Sequence, residues 1–272
     1  MVKERCKKCA LCGSAERPLV KSHIIARGFF NNCETKCSLA LIDKTGMFKR
    51  RRDAIYLNRY TCDMCEKNIF TPLDDYALKI YRDRDSGTIL EDQGVQTIEY
   101  SSVDRRMLRG YLASLLWRMD LGRIIGVDEM CNVDIGDFFR EKIRADLLKI
   151  EVASFDYVDV CAVSLRSEMS QSISVPRRMI LTDGVISANG FMVQLPYLCM
   201  FVSLDNQIHP YVNRDYPNWL QATPFSLNDK YRDKSYSVFR AYHIDWQREN
   251  LIDAVIDYNN SSNRQGPFFT FS

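Results

Sequence analysis

Cys9-Ala10-Leu11-Cys12-Gly13, Ser22-His23-Ile24-Ile25 and Cys62-Asp63-Met64-Cys65-Glu66 are the three short runs on which the fold of this chain turns. Two Cys-x2-Cys pairs separated by about fifty residues supply four thiolates, the set that closes a tetrahedral zinc site, and such a site contributes folding energy directly. Gly13 permits the tight turn in which backbone amides point at the sulfurs. The apolar and aromatic residues 55–60 lead into the second pair as a strand leads into a knuckle and helix. The register has alternatives: Cys6-x2-Cys9 overlaps the first pair, and Cys33-x3-Cys37 supplies either ligands or loop thiols. Gly13 favours Cys9 and Cys12 as the structural zinc ligands, with Cys62 and Cys65.

Seven of the ten cysteines fall within the first 65 residues, a clustering that reads as metal ligation. Cys131, Cys161 and Cys199 stand singly in apolar surroundings, as small core residues do. The opening Met1-Val2-Lys3-Glu4-Arg5 has no apolar signal core. The longest apolar run, residues 191–204, is shorter than a membrane span and is broken by Gln194 and Pro196. A cytoplasmic protein with no membrane partner is expected, and disulfides are not.

Charge is distributed unevenly. Residues 1–72 carry 15 Lys/Arg against 7 Asp/Glu, a net of +8, and the other 200 carry 22 against 28, a net of −6. A basic front on a mildly acidic body points to a polyanionic partner for the first part only. The densest run, Lys49-Arg50-Arg51-Arg52, is suited to straddling phosphates, with Lys21 and Arg27 extending the surface, although a solvated loop would have the same composition. No residue pattern suggests base readout, so weak sequence preference is expected. Phe29-Phe30, after Gly28, covers the hairpin or wedges into a minor groove.

The turn signals Ser86-Gly87 and Gln93-Gly94 divide the chain into a zinc-binding module, residues 1–90, and a body, residues 100–272. Before them, Leu73, Tyr76, Ala77, Ile80 and Tyr81 recur at helical spacing, with Pro72 in the first turn. In the body, Leu108, Tyr111, Leu112, Leu115, Leu116 and Met119 form a helical stripe, with Arg105, Arg106 and Arg109 off it and Ser101 and Asp104 as a capping box. A second helix is expected over residues 137–150, with Phe138, Phe139, Ile143, Leu147 and Leu148 inward. Strands are expected at 157–165, 178–182 and 190–203, turns at Asp183-Gly184 and Asn189-Gly190, and a last helix at 246–258. The fold class expected is α+β: a zinc-stapled ββα module followed by a body of helices on an antiparallel sheet.

Cys9 and Cys12, then Ser22-His23-Ile24-Ile25, Asn58, and Cys62 and Cys65 leading into Glu66 resemble the HNH endonucleases, whose fold is a treble-clef ββα-metal unit. The resemblance covers residues 6–80. It implies that His23 is a general base acting on water, that Asn58 orients it, and that Glu66 with Asn68 and His23 holds a catalytic Mg²⁺ or Mn²⁺. Two departures stand out: Ser22 occupies a position where the family commonly has an Asp or His metal ligand, and the helix ligand here is a carboxylate. The activity implied is metal-dependent hydrolysis of phosphodiester bonds in double-stranded DNA, in the manner of a defence or toxin effector such as those of antiviral systems. The alternative is a zinc module that binds nucleic acid or a protein without cleaving. The body contains no Gly-rich phosphate loop and no nucleophile elbow, which leaves it a regulatory or partner-binding role.

Overall fold

A computed structural model describes residues 8–31, 39–42, 48–51, 55–82, 88–92, 95–100, 104–127, 131, 133–165, 174–182, 187–195, 198–204, 239–244 and 269–270. The fold is α+β and forms two compact units: Met1–Ser38, Arg51–Arg82 and Arg106–Phe155 make the first, and Leu39–Arg50, Asp83–Arg105 and Asp156–Ser272 the second.

Unit 1 begins with β1 (Leu19–His23) and the short helix α1 (Gly28–Asn31). Strand β4 (Tyr56–Cys62) pairs antiparallel with β1, placing Leu19 opposite Cys62, Lys21 opposite Asn58 and His23 opposite Tyr56. The register slips between Val20 and Lys21, so that Arg59 and Tyr60 bulge from β4, with Arg59 in the left-handed region at φ 64°. Bulges sharpen the local twist and re-aim the strand. Here the bulge lies between the residues next to the cysteines and those that continue to His23.

From Cys62 the chain runs into one helical rod: α2 (Asp63–Cys65), a π-helical stretch (Glu66–Phe70) and α3 (Thr71–Arg82). Pro72 has no N–H to give to the carbonyl four residues back and its ring crowds that carbonyl. A wider π turn immediately before the proline relieves that crowding, and Glu66 opens the turn.

Helices α4 (Arg105–Ile125) and α5 (Gly136–Leu147), expected in the body, pack into unit 1, apart from Arg105 itself. Small residues on α4 permit the close approach. A Cβ added at Gly110 would lie 3.0 Å from Leu73 Cδ2 of α3, and one added at Gly122 would lie 3.4 Å from Ile24 Cδ1 and 2.8 Å from Cys131 Sγ. Cys131 is thus a core residue, as expected. Helix α4 is not a simple amphipathic helix: residues 108–120 are all buried, and Arg105 and Arg109, expected off the apolar stripe, are buried too. On α5, Ile143 and Leu147 face inward, but Phe138 is 73% and Leu148 42% exposed, contrary to their expected inward orientation.

The division into a front module and a body at residues 86–100 also differs from what is observed. Those residues contribute a hairpin, β5 (Thr88–Asp92) and β6 (Val95–Tyr100), paired from Asp92 opposite Val95 to Thr88 opposite Glu99. The remaining strands of unit 2 are β7 (Asp159–Leu165), β8 (Ser174–Thr182), β9 (Ser187–Leu195), β10 (Leu198–Ser203), β11 (Phe239–Ile244) and β12 (Phe269–Thr270). They form an eight-stranded sheet in the order β12-β8-β9-β10-β7-β11-β6-β5, antiparallel except for the parallel β7–β11 pair. Register explains its buried face: Phe191, Val202 and Val160 stand opposite one another across β9, β10 and β7 and are buried. Asn189-Gly190 is not a turn, since both residues pair within β9, with Ile180 and Met179. A separate two-stranded sheet is made of β2 (Leu39–Ile42) and β3 (Phe48–Arg51).

The expected turn at Asp183-Gly184, the cap residue Ser101, the helix at 246–258, Arg52 and the thiols Cys6, Cys33 and Cys37 lie outside the described residues. Among the described residues no helix is long and apolar enough to cross a membrane.

Candidate metal centre and the polar cluster beside it

The sulfurs of Cys9, Cys12, Cys62 and Cys65 all lie within 4.8 Å of one another. Two pairs, Cys9–Cys65 and Cys12–Cys62, stand at 3.8 Å. Four sulfurs at about 2.3 Å from one tetrahedral ion are separated by about 3.8 Å, whereas a disulfide needs about 2.05 Å. The geometry is therefore that of a four-thiolate site able to hold a metal ion such as zinc.

Local structure builds this cage. Gly13, at φ 77°, turns the first knuckle so that its amide donates to the Cys9 carbonyl at 2.8 Å. The amide of Ala10 donates to the Tyr60 carbonyl at 2.7 Å, and that of Asp63 to the Pro18 carbonyl at 3.1 Å. Those two bonds lock the knuckle onto the second cysteine pair. The Cys62 amide points at Cys9 Sγ, 3.3 Å away. The Cys65 thiol beside Cys9 pulls the Cys9 pKa down to about 4, against the opposing effect of burial, while the resulting thiolate pushes Cys65 up. Burial raises Cys12, the most open of the four. Helix α5 braces the same knuckle, with Arg144 Nε donating to the Leu11 carbonyl at 2.7 Å.

Ser22 and His23 end the β1 strand that this cage anchors. Ser22 is fully buried and faces the helix, where the carboxyl of Glu66 lies close enough for the hydroxyl to lower its pKa. The two do not form a hydrogen bond of proper geometry, and Ser22 Oγ and Glu66 Oε2 are both buried without a hydrogen-bond partner. A buried polar atom left in that state costs on the order of 1–3 kcal/mol. Two oxygens so disposed fit a hard cation or a water molecule, and Glu66 supplies the charge a divalent ion would need. His23 is half-buried, its ring edge-on to Tyr56 at 6.4 Å between centroids.

Burial raises the Glu66 pKa above its ordinary value of 4.5 more strongly than Ser22 and Arg118 lower it, and Asp74 raises it further. A carboxyl whose folded pKa exceeds its unfolded one keeps its proton longer when folded. Its contribution to stability is complete below the unfolded pKa and is lost as pH rises through the folded one. Glu66→Gln is accordingly expected to be more stable than wild type at neutral pH, with the difference vanishing in acid, in denaturation midpoints measured against pH. Added Mn²⁺ at neutral pH is expected to narrow the difference, because a cation favours the ionised carboxylate.

The other candidates are scattered. Asn68 is exposed and its amide is directed at Met64 Sδ, 3.9 Å away, so it does not join Glu66. Asn58 is exposed on β4 opposite Lys21. Lys21 and Arg27 are exposed, with the Lys21 Nζ 3.5 Å above the Tyr56 ring. Lys49, Arg50 and Arg51 lie on β3, Lys49 and Arg50 in unit 2. Phe29 is buried, its ring centroid 6.3 Å from that of Tyr111 on α4, and the side chain of Phe30 lies outside the described residues.

Sequence reasoning missed the group that occupies the centre of unit 1. Arg118 on α4 is completely buried and forms a two-point ion pair with Asp74 on α3, Nη2 to Oδ1 at 2.6 Å and Nη1 to Oδ2 at 3.0 Å. Nη1 also donates to the main-chain carbonyl of His23. Nη2 donates to Ser114 Oγ at 3.2 Å, and Nε to the Ser114 carbonyl at 3.3 Å. Ser114 Oγ in turn donates to the Tyr111 carbonyl at 2.8 Å. All five N–H groups of the guanidinium thus have acceptors. Burial alone would lower the Arg118 pKa, but Asp74 more than offsets it and the group stays charged. The Phe70 ring lies 5.0 Å from the guanidinium carbon and stacks on Trp117. Burial also raises the Tyr111 hydroxyl pKa, so the ring acts here as a neutral phenol.

Comparisons of the chain with protein-family models, with curated proteins and with solved structures find no match.

Proposed function

We propose that the chain is a metal-dependent endonuclease of the HNH type, acting on double-stranded DNA with little sequence preference. The observation that supports this reading is the adjacency of the Ser22 hydroxyl, on the hairpin strand that ends in His23, and the Glu66 carboxyl in the helical rod that follows the second cysteine pair. In this reading zinc occupies the cysteine cage and has no part in the chemistry. Glu66, with the Ser22 hydroxyl as a neutral neighbour, would hold a Mg²⁺ or Mn²⁺ ion, which when bound stabilises charge on the leaving oxygen. The His23 imidazole takes a proton from water as that water attacks the phosphorus, and the bond to the leaving oxygen breaks. Lys21 and Arg27, exposed in the same unit, bind phosphates and hold the duplex. The run Lys49-Arg50-Arg51-Arg52 is a further candidate for phosphate contact by its composition, and unit 2 serves as a regulatory or partner-binding part. A defence or toxin role fits such an activity.

A second reading, binding to nucleic acid or a protein without cleavage, is favoured by one feature. Ser22 stands where a charged ligand is usual, and Asn68 is turned away from Glu66. One experiment separates the two. Plasmid incubated with the purified protein and Mg²⁺ or Mn²⁺ is expected to be nicked, and His23→Ala is expected to lower the rate at least about 100-fold with zinc content unchanged. Salt-sensitive DNA binding with no cleavage by wild type under any divalent ion would select the second reading.

A further inference from the structure

We propose that Arg118 is a positioning residue for His23, fixing the end of β1 through the His23 main-chain carbonyl while Asp74 holds the guanidinium in place. This rests on the endonuclease reading for its consequence in catalysis, but not for its geometry.

His23 is the last residue of β1, where it stands opposite Tyr56. Beyond it, the Ile24 amide still donates to the Ile55 carbonyl at 2.9 Å. The His23 carbonyl in addition accepts from a side chain 95 residues away in sequence. That side chain cannot adjust: its planar fork is pinned on one edge by both Asp74 oxygens and on the other by Ser114. Residue 23 is thereby tied to α3 and α4 together. The same helical rod carries Glu66 at the start of its π-helical stretch, eight residues before Asp74. One guanidinium therefore sets the spacing between the strand that bears the imidazole and the helix that bears the carboxylate.

Packing alone does not require this arrangement. A buried ion pair is often no more stabilising than an apolar pair of the same volume, because both charges must be stripped of water. What it provides is a defined geometry. Misplacing a catalytic group by about 1 Å costs on the order of 100-fold in rate.

Arg118→Lys keeps the charge and can reach Asp74 but cannot serve all five acceptors; Arg118→Met keeps the bulk and has no charge. The chain has only three histidines, so the His23 ring signals in a ¹H–¹⁵N spectrum of the zinc-loaded protein are assigned by their loss in His23→Gln. In Arg118→Lys we expect those signals to shift or broaden while those of His209 and His243 stay in place, and nicking per zinc-loaded molecule to fall about 100-fold. The pH profile of the residual activity is expected to move with the His23 signals, which a loss of stability alone would not cause. If wild type does not cleave at all, the endonuclease reading fails and the spectrum still decides the positioning role. Unchanged His23 signals in a zinc-loaded, folded Arg118→Lys protein would overturn it. Loss of zinc and of helical structure in both variants would also overturn it, since Arg118 would then act on the fold as a whole.

Discussion

Stripped of metal by a strong chelator under reducing conditions, the protein is expected to lose the folded structure of unit 1. Metal binding to a four-thiolate site contributes on the order of 10–16 kcal/mol, as much as the entire stability of a typical domain. The cage is the junction at which the first knuckle, the end of β4 and the head of the helical rod meet, through the bonds from Ala10 to Tyr60 and from Asp63 to Pro18. Without an ion, thiolates within 4.8 Å of one another repel, or take up protons and lie buried with poor partners. The apolar core formed by Ile24, Phe29, Leu57, Phe70 and Leu112 would then have to hold the hairpin alone. A fall in melting midpoint of roughly 20 °C or more is expected, with one zinc released per chain. Cys9→Ser and Cys62→Ser are expected to reproduce it, because a serine hydroxyl is a poor zinc ligand. A chain that contains no metal yet keeps its helical signal and its melting midpoint would refute the zinc assignment.

The parts of this architecture that were legible in the sequence are those governed by local rules. Metal-ligand spacing needs only two residues between cysteines and a glycine after them, and Cys9, Cys12, Cys62 and Cys65 converge as that rule demands. The helical spacing of Leu73, Ala77 and Ile80 marks α3, and the apolar stripe from Leu108 to Met119 marks α4. Gln93-Gly94 has the composition of a linker as much as of a hairpin turn, and the strand signal of β5–β6 lies in the β-branched residues on either side, Thr88, Ile89, Val95, Thr97 and Ile98. Arg105 and Arg109 give α4 the composition of a helix with one wet face, which its buried surroundings do not leave it. The pairing of Asp74 with Arg118 spans 44 residues and has no local signature at all. One sign was nevertheless present: Arg118 follows Tyr111 and Leu115 at helical spacing, so a cation sits in line with apolar residues. A charge in line with an apolar stripe implies a buried partner, and Asp74 is that partner.

Asp74→Ala is expected to destabilise unit 1 by about 3–5 kcal/mol, because it leaves the buried Arg118 guanidinium without its hydrogen-bonded counter-charge. Arg118 has no exposed side-chain surface through which to rehydrate, and Ser114 and the His23 carbonyl offer it only neutral acceptors. Its charge cannot be shed either, since an arginine stays protonated. The chain must therefore open a path for water or let α4 move away from α3. Movement of α4 would disturb the contacts of Gly110 with Leu73 and of Gly122 with Cys131, where the helix sits closest to its neighbours. Asp74→Asn is expected to cost less, since the amide oxygen can still accept one bond. The pair Asp74→Ala with Arg118→Met is expected to recover much of the loss, because a buried pair replaced on both sides by apolar groups no longer contains an orphan charge. Denaturant midpoints of wild type, Asp74→Ala, Arg118→Met and the double variant at fixed zinc decide the matter. A double variant as unstable as the sum of the two single ones would show that Asp74 and Arg118 act independently and that the ion pair does not hold α3 to α4.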